Sequence, residues 1–377
     1  MANIVSNHRR AFGPDFIRAA AIVLVLLSHT FPGGTMFPAL GVLRYFVGVL
    51  GVEIFFLLSG YLIGGILMAD LFAGRLDSFA GTVSFWKRRW FRTLPNYYLF
   101  LCFPLVLDWL AGRSLPPGIG DYFWFGQALL SPDPDYFTVV WSLAIEEWFY
   151  LLFPLVLFLF SRVSTRRQQV LLATIIVFLV VPVIIRSFIS PAIGWDMGVR
   201  RVTLPRLDAI GYGVVLAFLK NYRASIWNFL VKIWPAGVLA LLGLTVQFCH
   251  HNVVSNGFND DSAWYRALYF NVFSLAIALS FPKAAELSAL PGWATVVCQK
   301  LSLWSYSMYL SHVFCIGIIS IIFNATMPSW HRLQSVIEFP FIWLMTIVVS
   351  ALLYRFFEKP LMDLRDRPMK SLFRRPK

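Results

Sequence analysis

Charged residues are scarce in this sequence: Asp, Glu, Lys and Arg make up 14% of its 377 residues, while 58% are apolar. Soluble globular domains carry about 25% charged residues, so the composition excludes a soluble domain, a disordered chain and a coiled coil. Cysteine is also rare. The four cysteines, Cys102, Cys249, Cys298 and Cys315, lack metal-ligand or redox spacing, which predicts small packing residues rather than a metal site or disulfides.

Internal repeats and low-complexity linkers are missing too, which favours a single domain over residues 1–377. Long apolar segments dominate instead, and the mean hydropathy is +0.69. A transmembrane helix needs about 20 apolar residues, whereas the strands of a membrane barrel are shorter and alternate. We therefore predict an all-α, polytopic membrane protein with about ten transmembrane helices. The apolar segments cover residues 14–31, 45–69, 94–111, 139–160, 169–188, 204–219, 228–249, 267–281, 303–323 and 337–357.

Acidic residues are rarer than basic ones: 19 Asp and Glu stand against 32 Lys and Arg, which gives a net charge of +13. Most of the Lys and Arg fall in alternate loops between the apolar segments. The positive-inside rule then predicts a multi-pass protein of the plasma (inner) membrane with both termini cytoplasmic, so the basic charge needs no nucleic acid. The exception is the outer loop 186–206, whose four arginines are either surface charge or a site for an anionic or sugar acceptor.

Three ionisable residues interrupt the first apolar segment, where each costs at least about 2.5 kcal/mol and is therefore a functional candidate. Arg18 and His29 are eleven positions apart, so they share a helix face about 16 Å apart along the axis. Asp15 lies one turn before Arg18 and can pair with it. The alternative is a snorkelling arginine and a histidine that only packs in the core.

The second apolar segment contains Glu53, whose carboxylate needs a cationic partner such as Arg18 or an arginine on another helix. In the same segment Ser59 and Gly60 predict a close contact between helices. A nucleophilic Ser59 is a possible but unsupported alternative, since no charged base flanks it in the sequence.

A basic cluster follows in the next inner loop. Arg89 and Arg92 lie one helical turn apart beside Arg88, a spacing that can clamp a phosphate from two sides. This suits a phosphorylated cofactor that arrives from the cytoplasm. The alternative is a membrane anchor at the bilayer edge.

Further polar residues occur later in the chain. The adjacent carboxylates Glu146 and Glu147 diverge by about 100° on a helix, so they cannot face one partner. Tyr309 and His312 share a face at i, i+3, and Arg206 with Asp208 opens another apolar segment.

Taken in order, these segments resemble the acyltransferase-3 family of integral membrane O-acyltransferases, whose signatures include an Arg-x10-His pattern. Ala144, Trp148 and Ser311 depart from the residues usual in the family, and Trp148 could reshape the acceptor pocket. The segments that carry the resemblance are 15–18 with His29, 51–61, 89–95, 141–151, 305–312 and 358–360.

The resemblance implies transfer of an acyl group, most often acetyl from acetyl-CoA, to a hydroxyl of a carbohydrate or another glycosylated acceptor. Acyl-CoA would be a co-substrate, with no permanently bound cofactor and no metal. His29 would act as base or as acyl-accepting nucleophile. The implied catalytic residues are His29, Arg18, Asp15 and Glu146; the implied CoA-binding residues are Arg89, Arg92 and Arg88; the implied acceptor-binding residues are Glu53, Arg206, Asp208, Tyr309 and His312.

Two other functions fit parts of the pattern. A transporter or flippase of a lipid-linked saccharide would also place charges inside the membrane, and it predicts substrate movement without consumption of acyl-CoA. A non-catalytic scaffold predicts a role that is independent of His29. The chain ends soon after the last apolar segment, so we expect no fused C-terminal extracytoplasmic domain. The sequence leaves the oligomeric state open.

Overall fold

The computed structural model describes residues 11–32, 38–132, 136–189, 194–254, 262–326 and 334–365. Throughout these ranges the regular structure is helical, which confirms the all-α prediction. The termini, which the loop charges predict to be cytoplasmic, lie outside the described residues. The α-helices are α1 Phe12–Thr30, α2 Pro38–Phe72, α3 Phe79–Leu110, α4 Ile119–Tyr122, α5 Trp141–Val163, α6 Arg167–Ser187, α7 Leu207–Tyr222, α8 Ala224–Lys232, α9 Trp234–Val254, α10 Tyr269–Ala285, α11 Gly292–Thr326, α12 Gln334–Leu353 and α13 Lys359–Arg365.

Every predicted apolar segment lies on one or two of these helices. In the described part of the chain, seven helices are long and apolar enough to cross a membrane, and α8 with α9 forms an eighth candidate bent by 59°. The other two predicted segments lie on α3 and α7. Helix α3 carries the basic cluster 87–92 within its length, and α7 has only 16 residues. The predicted number of about ten is therefore approximate.

Glycines allow α2 and α7 to approach closely. A Cβ atom on Gly60 of α2 would lie 1.9 Å from the carbonyl oxygen of Ile210, and one on Gly213 of α7 would lie 2.1 Å from that of Leu57. Any larger side chain would push the two backbones apart. The close contact predicted at Ser59 and Gly60 is confirmed, and its partner is α7.

Helix α1 packs between α2 and α11. Near the start of α1, the Ser302 hydroxyl of α11 donates to Asp15 at 2.7 Å. Near its end, the rings of His29 and His312 lie 4.9 Å apart, edge to face. The polar face of α1 is therefore turned into the bundle, and α11 follows it along the interval between Arg18 and His29.

Two buried ion pairs join α2, α6, α7 and α10. Arg206 donates to Glu53, and both side chains are at most 1% exposed. Arg186 contacts Asp208 at 2.7 Å, and the Asn271 side chain of α10 accepts a further bond from Arg186 at 2.6 Å. The cationic partner that Glu53 requires is thus an arginine of another helix. Each pair compensates two buried charges, so removing either member would leave the other charge uncompensated.

Candidate active site

The predicted pairing of Asp15 with Arg18 is confirmed. The carboxylate and the guanidinium are 3.9 Å apart, and the Ser302 hydroxyl bridges them, donating to Asp15 and accepting from Arg18 at 3.3 Å. Asp15 is buried, whereas 15% of the Arg18 side chain is exposed. Asp15 and Ser302 therefore hold the Arg18 guanidinium, which also lines a cavity.

We call this first cavity the Arg18 cavity. Its volume is about 860 Å³, counting its open mouth, and α1, α2, α3, α5 and α11 contribute to its walls. Apolar side chains such as Val52 and Phe56 line it together with polar ones. The polar lining includes Arg18, Ser59, Arg89, Arg92, Ser142, Glu146 and Tyr309.

Arg89 is held in the wall of the Arg18 cavity by α5. Its guanidinium donates to the Tyr150 hydroxyl at 2.7 Å and lies 3.7 Å from the Glu146 carboxylate. Glu146 in turn accepts bonds from Ser59 at 3.0 Å and from Tyr150 at 2.9 Å. The buried Nε atom of Arg89 has no hydrogen-bond partner among the described residues. These contacts with α5 fix the Arg89 side chain in the cavity wall.

The basic cluster on α3 is divided by helix geometry. Arg92 lines the Arg18 cavity together with Arg89. Arg88 points elsewhere: it contacts Asp70 at 3.1 Å and Ser84 at 2.9 Å. The structure therefore brings two of the three predicted CoA-binding arginines to the cavity, and Arg88 is not among its lining residues.

A second cavity, the His29 cavity, opens beyond the end of α1. Its volume is about 830 Å³, again counting the mouth. The wall combines α1, α2, α5 and α11 with the segment that precedes α7. Its polar and aromatic lining includes Ser28, His29, Arg44, Tyr45, Trp141, Arg200, Arg201 and Tyr309.

The hydrogen bonds of His29 determine which nitrogen is basic. Its Nδ1 atom lies 2.8 Å from the carbonyl oxygen of Val25 and 3.1 Å from the Ser28 hydroxyl. A carbonyl oxygen only accepts, so Nδ1 carries the proton and Nε2 keeps its lone pair. His29 is exposed in the His29 cavity, so this lone pair is available to a ligand there.

His312 supports the His29 ring from α11. It is fully buried, and its Nδ1 atom lies 3.2 Å from the Met308 carbonyl oxygen. Its Nε2 atom has no hydrogen-bond partner within the described ranges. His312 lines neither cavity, so its contact with any acceptor would pass through His29.

The two cavities share the lining residues Tyr309 and Val52. The hydroxyl of Tyr309 donates to the Val139 carbonyl oxygen at 2.8 Å and lies 2.6 Å from the Ser142 hydroxyl. These bonds fix the Tyr309 ring between a cavity rich in arginine and a cavity that contains a basic histidine. Together the two spaces can hold two substrates that meet at one side chain.

Comparison with known proteins identifies the family of the chain. A family model described as an acyltransferase domain matches residues 12–355. The chain belongs to the acyltransferase-3 family. It is 26% identical to the O-acetyltransferase OatA of Staphylococcus aureus, over 93% of this chain and 57% of that protein. It is 28% identical to a putative peptidoglycan O-acetyltransferase, YrhL of Bacillus subtilis, over 100% of this chain and 58% of that protein.

The chain thus spans less than two thirds of the length of these curated relatives. A third relative, the putative O-acetyltransferase SACOL0978 of Staphylococcus aureus, is 26% identical over 97% of the chain and 59% of its own length. No solved structure matches the chain.

The other site residues of this acyltransferase domain are distributed unevenly. Asp15 lies beside Arg18 but outside both linings. Glu53, Arg206 and Asp208 are buried in the two ion pairs and line neither cavity. Their geometry favours a packing role, and acceptor binding by these three residues stays a prediction. Of the four arginines in loop 186–206, Arg200 and Arg201 are the pair that reaches a cavity.

Sequence reasoning missed Arg44 and Tyr45, which line the His29 cavity. Both lie near the start of α2, where a basic residue such as Arg44 is usually interpreted as a membrane anchor at a helix end. It also left Ser59 unsupported, because the carboxylate that it contacts, Glu146, comes 87 residues later. In each case the missing signal is a contact between distant helices.

The two adjacent carboxylates on α5 diverge as expected. Glu146 lines the Arg18 cavity, whereas Glu147 lines a separate aromatic cavity with Trp148. The indole of Trp148 donates to the Phe125 carbonyl oxygen at 3.0 Å. Trp148, which departs from the family pattern, therefore lines neither the Arg18 cavity nor the His29 cavity.

Proposed function

We propose that this protein is a membrane O-acetyltransferase that moves acetyl from acetyl-CoA to a hydroxyl of a carbohydrate acceptor. The observation that carries the proposal is the meeting of two different cavities at Tyr309. The Arg18 cavity offers cations for phosphates, and the His29 cavity offers a base. The names of the relatives support acetyl as the group and a peptidoglycan glycan as the first acceptor to try.

In the donor half, Arg18, Arg89 and Arg92 would bind the CoA phosphates. Guanidinium groups hold phosphates through paired, charge-assisted hydrogen bonds, and all three line the same cavity. Basic residues concentrate at the cytoplasmic side of membrane proteins, so CoA would enter from the cytoplasm. A phosphate at Arg18 and a hydroxyl at His29 would be about 16 Å apart along α1. The flexible pantetheine arm of CoA would extend over this distance.

In the acceptor half, Nε2 of His29 removes the proton from the acceptor hydroxyl. The hydroxyl oxygen attacks the thioester carbonyl carbon, and the C–S bond breaks as the C–O ester bond forms. The leaving thiolate takes up a proton and departs as CoA thiol. The Ser142 hydroxyl lies beside Tyr309 at the junction and would donate to the developing oxyanion.

The family assignment favours this reaction over the transporter or flippase alternative, which consumes no acyl-CoA. The full chain, purified into nanodiscs, is incubated with radiolabelled acetyl-CoA and peptidoglycan oligosaccharides. We expect labelled ester and free thiol to appear in equal amounts. Since a general base contributes about 10²–10⁴-fold, His29→Ala should lower the transfer rate by that factor.

His250→Ala is the matched control, because His250 is an exposed residue of α9 outside both cavities. It should transfer acetyl like the unaltered protein. Equal transfer rates for His29→Ala and His250→Ala would refute the role of His29. Glycan movement across the bilayer without thiol release would refute the enzyme and favour the transporter.

A further inference from the structure

The His29 cavity contains three guanidinium groups in its lining, from Arg44, Arg200 and Arg201. Among the described residues its lining includes no carboxylate. A charge in a partly buried site is compensated in folded proteins, and the usual means are an ion pair or a ligand. The partners of these arginines therefore indicate what the cavity binds.

Arg200 and Arg201 share one carboxylate in the described structure. Both contact Asp196, Arg201 at 2.7 Å, and Tyr45 donates to the same carboxylate. Arg200 is 7% exposed, and its guanidinium lies 4.5 Å from the ring centroid of Trp141. Aromatic contact and a shared carboxylate fix Arg200 rigidly at the wall.

Arg44 contacts a neutral group instead. Its guanidinium donates to the Phe31 carbonyl oxygen at 3.1 Å, and it forms no ion pair with a described carboxylate. It lies on α2 next to Tyr45, which contacts Asp196 and Arg200, and it lines the same cavity as Arg200. The cation thus keeps donors for a ligand that enters the His29 cavity.

The contrast with the rest of loop 186–206 strengthens this interpretation. Arg186 and Arg206 are each matched by a buried carboxylate, Asp208 and Glu53 respectively. Arg200 and Arg201 contact Asp196. Arg44 differs from these four arginines, because it lines the cavity that contains the basic histidine and has no described carboxylate partner.

We infer that the acceptor carries an anionic group, a carboxylate or a phosphate, close to the hydroxyl that is acylated, and that Arg44 and Arg200 bind this group. The inference rests on the proposed function and specifies its acceptor class. A neutral sugar would leave the charge of Arg44 uncompensated. An anionic one would be both bound and oriented with its hydroxyl toward Nε2 of His29.

The test compares matched acceptors with the full chain in nanodiscs and acetyl-CoA. In the carboxylate arm, a muramic acid oligosaccharide is compared with its methyl ester, which removes only the charge. In the phosphate arm, a sugar 1-phosphate is compared with the methyl glycoside. We expect the anionic member of one arm to be preferred about tenfold or more in kcat/KM, and the arm that shows this identifies the anion.

Arg44→Gln should raise KM for the preferred anionic acceptor about tenfold and leave the neutral acceptor unchanged. Arg44→Lys, which keeps the charge, should recover most of the loss. Arg113→Gln is the matched control, because the Arg113 side chain is 74% exposed and lies outside both cavities. Equal kcat/KM for charged and neutral acceptors, or equal losses on both in Arg44→Gln, would overturn the inference while acetyl transfer itself still stood.

A binding measurement tests the anion site even if the protein transfers no acetyl group. If no acceptor is acetylated, the proposed function fails, and affinities of the same four saccharides are measured by titration without acetyl-CoA. Tighter binding of an anionic member that Arg44→Gln abolishes would support the anion site independently of catalysis. Equal affinities for charged and neutral members would overturn it.

Discussion

The Arg18 cavity and the His29 cavity both contain three arginines, but they hold them differently. In the Arg18 cavity a carboxylate belongs to the lining itself: Glu146 lies 3.7 Å from Arg89. In the His29 cavity the described lining has a histidine and no carboxylate. Asp196 contacts Arg200 and Arg201 from outside that lining, and Arg44 forms no ion pair with a described carboxylate. Under the proposed function, the Arg18 cavity would bind the phosphates of the donor, and the His29 cavity would hold the acceptor beside a base.

The largest effect is a loss of stability, expected when an arginine that lines neither cavity is replaced. Arg206→Gln would leave the carboxylate of Glu53 buried without its cation, and breaking such a pair costs about 3–5 kcal/mol. Thermal unfolding in detergent should show a strongly destabilised protein. If Arg206→Gln were as stable as the unaltered protein but lost acceptor binding, Arg206 would act in ligand binding, like the arginines that line the cavities, and not in packing.

The next largest effect is a loss of acetyl-CoA affinity, expected from a substitution in the Arg18 cavity. Arg89→Gln should weaken acetyl-CoA binding about tenfold or more, because a charge-assisted contact contributes about 1.5–3 kcal/mol. Isothermal titration with acetyl-CoA measures this, with Arg162→Gln, an exposed arginine of α5, as the control. Acceptor KM should stay constant. A change in acceptor KM with unchanged acetyl-CoA affinity would reverse the assignment of the two cavities.

A smaller effect is expected at the junction. Tyr309→Phe keeps the ring but removes the hydroxyl that contacts Val139 and Ser142. Loss of one neutral hydrogen bond costs about 1 kcal/mol, so the transfer rate should fall about fivefold. Rates are compared with those of Tyr222→Phe, whose ring is exposed and distant from both cavities. A fall in acetyl-CoA affinity alone would place Tyr309 in the donor cavity only.

The smallest effect is expected at an exposed pair outside both cavities. Arg167 donates two hydrogen bonds to Asp77, at 2.7 and 2.6 Å, and these bonds lower the pKa of the Asp77 carboxyl. A lowered pKa stabilises the folded state above the ordinary carboxyl range, and the gain is lost as the pH falls below it. Asp77→Asn should therefore cost less than about 1 kcal/mol at pH 7 and nothing in strong acid. Unfolding curves at both pH values measure the difference. A cost that persisted in acid would indicate a packing role.

Much of the fold could be predicted from the sequence. Every apolar segment lies on helix, and the spacing of Asp15, Arg18 and His29 gave the correct pairing and a shared polar face. These features are local, since they depend on helical period and on the cost of charge in a bilayer. The bend between α8 and α9 and the short α7 lie beyond such reasoning, because packing against neighbours decides them.

The site was predictable only in part. Residues one turn apart, such as Arg89 and Arg92, were placed together correctly. The partner of Glu53 was predicted by type but not by identity, because Arg206 is 153 residues away. The division of loop 186–206 into arginines of the two buried ion pairs and arginines that line a cavity depends on tertiary contacts that no spacing in the sequence encodes.

The position of Tyr309 has an electrical consequence. The Arg18 cavity and the His29 cavity contain residues near opposite ends of α1 and share Tyr309 and Val52, so polar space would replace part of the about 30 Å of apolar bilayer core. Each elementary charge that crosses a membrane potential of 100 mV changes in energy by about 2.3 kcal/mol, so a leak would dissipate stored energy continuously. We expect the Tyr309 ring, held by Ser142 and Val139, to separate the two polar spaces and so to limit a leak of protons and ions between them.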